Sequence, residues 1–251
     1  MDIEQESLSL EQADRAVQAA RQASLGKART LRIGFVDSVI PRLLPQILLR
    51  YKQQRPDVDF YLEEATTADQ LDALWKDRLD FGLLVLPIGD VATDICVEPI
   101  FHGHMLLAVP ESHRLATQQR ARLVEFAGDP WVTFPAHYGP GMHSLILKSC
   151  AAAGFSPRVA QHARLMYTTA GLVAGGVGIT LMPSLQLGIS PPKGLRFVYP
   201  TGEGTPIPYE IAMVYRTADV PEDFLEAVRI VTQHLERELS EVLKSSIRNS
   251  V

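Results

Sequence analysis

The chain lacks the signatures of several common protein classes. It has only two cysteines in 251 residues, Cys96 and Cys150. Two such distant thiols build no disulfide scaffold and show neither a CxxC motif nor metal-ligand spacing; they read as small buried hydrophobes. Positive charge is in deficit, with 24 Lys and Arg against 29 Asp and Glu and a net charge of -5. A protein whose main surface grips nucleic acid needs the opposite balance. Long apolar runs are missing too. Asp, Arg or Lys interrupts each one, and mean hydropathy is only +0.04, so no membrane-spanning helix is expected. The start, Met1 to Leu10, is polar and acidic rather than basic and then apolar, so it does not read as a secretory signal. With this numbering taken as the natural start, a cytoplasmic location is the expectation.

Catalytic signatures are equally scarce. The glycines Gly171, Gly175, Gly176 and Gly178 carry no GK[ST], and they end a helix where a dinucleotide fingerprint would open one. They read as a tight helix-to-strand turn. There is no GxSxG elbow. Glu63 and Glu64 fall on opposite faces of a strand, a poor acid/base pair. The histidines His102, His104, His137, His143 and His162 have no spaced carboxylate or cysteine to complete a metal site. No enzyme activity, metal or cofactor is expected.

What is present is an ordinary globular composition, 46% hydrophobic and 21% charged, arranged as alternating strands and helices. Ser9 to Gly26 reads as a lone helix with a narrow apolar stripe of Leu10, Ala13, Val17 and Ala20. From Thr30 the pattern is βαβαβ. Leu31–Val36 is a strand, Pro41–Gln54 a helix and Val58–Glu63 a strand. A helix capped by Thr66 or Thr67 runs through Trp75, and Asp80–Leu86 is a strand. That order implies a parallel sheet. Further strands are expected at Met105–Val109, Trp131–Phe134, Ile179–Met182 and Pro208–Tyr215. Helices are expected at Met142–Ala153, Tyr167–Ala174 and Pro221–Lys244.

Five stretches, in order, resemble the effector-binding region of LysR-type transcriptional regulators. They are LRIGFVDS (Leu31–Ser38), LLPQILLRYKQQRPDVDFYLEE (Leu43–Glu64), DQLDALWKDRLDFGLL (Asp69–Leu84), MLLAVPESHRLA (Met105–Ala116) and GLVAGGVGITLMP (Gly171–Pro183). The resemblance covers roughly residues 8–245. It implies an α/β fold of two Rossmann-like subdomains joined by crossover strands, like a type 2 periplasmic binding protein, with a ligand cleft between them. It divides the chain into a linker or dimerisation helix at 1–29, subdomain I at 30–108 plus 212–251, and subdomain II at 109–211. The family's winged helix-turn-helix domain would precede all of this. The chain begins within what resembles the linker helix, so no direct contact with nucleic acid is expected of it.

Ligands in such folds lie at strand ends, where helix N-termini favour an anion. Asp37 and Ser38 follow the first strand and Thr66 and Thr67 the second, while Thr168 and Thr169 open a later helix. By position, Ser38 and Thr67 match the family's commonest effector-contacting hydroxyls. Pro140 and Met142 match the opposite wall, and Phe134, Tyr167 and Thr168 are further candidates. Each hydroxyl also reads as a helix cap. Some relatives that sense dicarboxylates place an arginine where Val85 stands here, so a monocarboxylic or largely apolar effector is expected. The resemblance therefore implies an organic anion sensor that forms a homodimer or homotetramer. A stand-alone solute-binding protein and a small-molecule enzyme on the same scaffold are the alternatives.

Overall fold

The computed structural model describes residues 30–187, 192–216 and 221–248. The expected helix at Ser9–Gly26 lies outside the described residues. The βαβαβ start forms as read: β1 (Thr30–Phe35), α1 (Leu43–Gln54), β2 (Asp59–Glu64), α2 (Thr67–Trp75) and β3 (Phe81–Val85). β1 pairs in parallel with both β2 and β3. Pro45 sits in the first turn of α1, where its missing N–H removes no helical bond. α1 buries Leu43, Leu44, Ile47 and Tyr51. β2 departs from the expected alternation. It is an edge strand with Leu62 exposed, and the buried apolar residue on that segment is Val58, just before it.

The next strand, β4 (Ile95–Pro110), is far longer than the expected Met105–Val109. After it come β5 (Arg120–Arg122), β6 (Pro130–Thr133), α3 (Pro140–Ala152), β7 (Arg158–His162), α4 (Met166–Ala174), β8 (Thr180–Pro183), β9 (Leu195–Thr201), β10 (Pro208–Arg216) and α5 (Glu222–Arg248). The main sheet runs β2-β1-β3-β10-β4-β9-β5, with β8 beside β4, and β6 and β7 form a separate pair. β4 ties the sheet together. Its first half pairs with β10, and its second half, Met105–Pro110, pairs with β8 and β9. β10 runs antiparallel between β3 and β4. A register shift there pairs Ile211 with Phe101 and Ala212 with Pro99, leaving Ile100 as the extra residue. A bulge suits this place, because Pro99 has no N–H to give the ladder.

α5 closes the β1–β3 end of the sheet. Phe224 stacks 4.6 Å from Phe81 and edge-on 5.2 Å from Tyr51, and Asp223 accepts from the Tyr51 hydroxyl and pairs with Arg55 at 3.0 Å. At the other end Trp131 is fully buried, its indole N–H donating to the Phe126 carbonyl. Burial of this kind is the main source of stability. No helix among the described residues is long and apolar enough to cross a membrane.

Candidate functional site

The C-terminal ends of β1, β2 and β3 open onto a cleft whose far wall comes from the starts of α3 and α4. Val36, Asp37, Ser38, Thr67, Val85, Phe134 and Met142 all line it. The walls are close. A cavity of about 40 Å³ remains between them, room for a few waters and too little for an organic molecule unless the walls part. Gly141 shows how close the approach is. A Cβ there would lie 2.5 Å from the Val85 carbonyl oxygen, so only glycine lets the start of α3 rest against the end of β3.

Each polar candidate has a distinct environment. The Ser38 hydroxyl is 2.9 Å from the Tyr209 hydroxyl, and both residues are buried. Burial pushes the Tyr209 hydroxyl well above its ordinary pKa. The Asp37 carboxylate accepts the Met166 N–H at the start of α4. Burial raises its pKa from 3.8 to about 6; the Met166 N–H works against this and the nearby Glu64 carboxylate adds to it. Thr66 is the cap of α2, its hydroxyl oxygen accepting from the Asp69 N–H at 3.1 Å. Thr67 is thereby spared. It is 5% exposed, lines the cleft, and its hydroxyl has no hydrogen-bond partner among the described residues. The N–H groups of Thr67 and Ala68, ahead of the capped Asp69 N–H, have no intrahelical acceptor, and they add a partial positive charge.

Not every candidate reaches the cleft. Pro140 lies at the first position of α3, between the lining residues Gly139 and Gly141, without lining the cleft itself. Tyr167 is 77% exposed and borders a neighbouring cavity. Thr168 is exposed and borders neither, because α4 starts earlier than read, at Met166. Thr169 is buried and donates back to the Leu165 carbonyl within its own helix.

Sequence reasoning missed three polar residues here. Glu64 ends β2, and Tyr138 and Arg164 stand on the opposite wall. The Arg164 guanidinium lies 5.5 Å from the centre of the Tyr138 ring and has no carboxylate partner among the described residues. Arg164 is thus a cation on the wall of the cleft opposite Val85. Its position two residues before α4 was the available signal. Phe134 is held through its carbonyl oxygen, which accepts from Nδ1 of His143 at 2.8 Å. No group of three or more His, Cys, Asp or Glu among the described residues could hold a metal ion.

A crossed-over mixed sheet with a cleft at its strand ends is the architecture of type 2 periplasmic-binding-protein-like domains. Comparison with known proteins narrows the class. The sequence model of the LysR substrate binding domain matches residues 24–237, and the chain belongs to that family. It is 29% identical over 177 residues to the HTH-type transcriptional regulator AlsR of Bacillus subtilis, covering 70% of this chain and 58% of the regulator. It is 32% identical over 167 residues to the HTH-type transcriptional regulator CatR of Pseudomonas putida, covering 65% and 55%. The chain thus spans less than two thirds of the length of these relatives. Among solved structures it resembles the BenM effector binding domain with its effector benzoate. There the TM-score is 0.71 at 25% identity, over 84% of this chain and 94% of that one. The LysR family regulator CbnR shares the fold at a TM-score of 0.75 and 21% identity, over 92% and 79%.

Proposed function

We propose that this chain is the sensing part of a LysR-type transcriptional regulator and that its effector is a small molecule bearing a carboxylate. One observation carries the reading: Thr67, a buried residue whose hydroxyl has no partner among the described residues, stands at the start of α2 in a cleft that Arg164 lines from the other side. A hydroxyl, helical N–H groups and a guanidinium together form a carboxylate receptor. The benzoate named with the related BenM domain is itself a monocarboxylate.

The closed cleft suggests how binding becomes a signal. An effector larger than a few waters has to part the walls, so it favours a different relation between the halves on either side of β4 and β10. We place the division near residues 109 and 211. The ligand can shift that equilibrium only by its preference for the opened state, and in a longer regulator the shift would move DNA-binding domains. The chain itself would act without turnover, in the cytoplasm, as a homodimer or homotetramer. The exposed strands β2 and β7, with Tyr61, Leu62 and Val159 uncovered, suit side-by-side pairing of copies.

Thermal unfolding with a panel of small carboxylic acids, amino acids included, tests the reading. An effector at a hundred times its Kd should add about 2.7 kcal/mol, and Thr67→Val should reduce the gain. No shift with any acid, or a shift that Thr67→Val leaves unchanged, would refute it.

A further inference from the structure

The cleft holds more negative charge than a receptor for a simple acid needs. Asp37 and Glu64 both line it, and Glu64, like Arg164, has no oppositely charged partner among the described residues. Beyond Asp37 lies a second cavity of about 330 Å³, walled mainly by apolar groups of Ile40, Pro41, Ala170, Met182 and Phe197. Asp37, Glu64, Leu165 and Met166 border both cavities. Two carboxylates therefore stand at the partition, with the guanidinium and Thr67 on one side and an apolar chamber on the other.

A plain monocarboxylate would take up the charge of Arg164 and leave Asp37 and Glu64 uncompensated. We infer that the effector is a zwitterion, an amino acid with an apolar side chain. Its ammonium group lies between Asp37 and Glu64, its carboxylate at Thr67 and Arg164, and its side chain in the second cavity. This deepens the carboxylate reading and rests on it. The ammonium supplies three donors to the partly buried Asp37 carboxylate and the more exposed one of Glu64, and the Asp37–Met166 bond is the contact it trades against. Burial raises the Asp37 pKa to about 6 and the nearby Glu64 carboxylate adds to the rise, as expected of a partly buried carboxylate beside another negative charge.

Matched ligands test the inference on the full chain by calorimetric titration. Leucine is compared with 4-methylpentanoate and 3-methylbutylamine, and phenylalanine with 3-phenylpropanoate and 2-phenylethylamine. At least one amino acid should bind tighter than its deaminated acid by about tenfold or more, the weight of one charge-assisted hydrogen bond. That preference should fall in Glu64→Gln, an exposed position whose change leaves folding alone, and in Asp37→Asn, which keeps an acceptor for the Met166 N–H. A deaminated acid that binds as tightly as its amino acid would overturn the zwitterion and leave the carboxylate reading standing. An amine that binds as tightly as its amino acid would overturn both, as would silence across the whole panel.

Discussion

The carboxylate of Asp37, two residues past the end of β1, accepts the first N–H of α4 from Met166, 129 residues further along the chain. The bond spans the cleft from one wall to the other. It satisfies a helix N-terminus with a negative charge, a favourable pairing, yet it holds that charge where water is scarce. Burial outweighs the hydrogen bond, and the Asp37 pKa rises to about 6.

That rise fixes the sign of a pH effect. The folded state binds the Asp37 proton more tightly than the unfolded chain, whose carboxyl titrates near 3.8. The penalty for ionising it is absent below pH 4, grows as pH rises to about 6, and is constant above. Asp37→Asn should therefore stabilise the protein at pH 7 by about 1–3 kcal/mol, with the gain vanishing near pH 4. Urea denaturation of both proteins across that range checks this, and an asparagine variant less stable at pH 7 would contradict it.

Ser38 and Tyr209 make a testable pair. Ser38→Ala strands a buried phenol and should cost about 1–3 kcal/mol, whereas the double change to Ala and Phe should cost less than the sum of the single ones. A double-mutant cycle by denaturation measures the coupling. Strict additivity would mean the 2.9 Å contact contributes nothing.

Gly141→Ala should act on closure. Its Cβ meets the Val85 backbone, 2.5 Å from the oxygen and 3.1 Å from the carbon, and neither atom can swing aside as a side chain could. A loss of about 1–3 kcal/mol is expected, read as a lower denaturation midpoint. An unchanged midpoint would show that the walls do not meet in solution.

The two neighbouring threonines should separate stability from binding. Thr66→Ala removes the cap of α2 and should cost about 0.5–2 kcal/mol. Thr67→Val removes a hydroxyl with no partner among the described residues, so it should leave stability nearly unchanged and weaken effector binding about tenfold. Melting curves and titrations of both variants check the division of roles. Equal losses of stability would contradict it.

The βαβαβ half was legible because its strands and helices are short, patterned and punctuated by proline and capping threonines. β4 was not, because Pro99, Gly103 and the exposed His102 break the alternation over residues that pairing with β10 holds extended. β5, β7 and β9 escaped notice for a related reason. β7 is exposed along its whole length, so it carries no buried stripe to read. The placement of Ser38, Thr67 and Val85 along the cleft was legible from strand-to-helix order and the family resemblance. Arg164, Glu64 and Tyr138 needed the fold, since only tertiary packing brings residues so far apart in the chain to one cleft. Thr168 was misplaced by the two residues that separate it from the true start of α4.

The most direct test of the cleft as the effector site is amide chemical-shift mapping by NMR during titration with the tightest-binding carboxylate of the panel. The expected result is saturable perturbation concentrated at residues 36–38, 64–67, 139–142 and 164–166. Saturable shifts confined to another surface, such as the outer face of α5, with these segments unmoved, would contradict the assignment of the site.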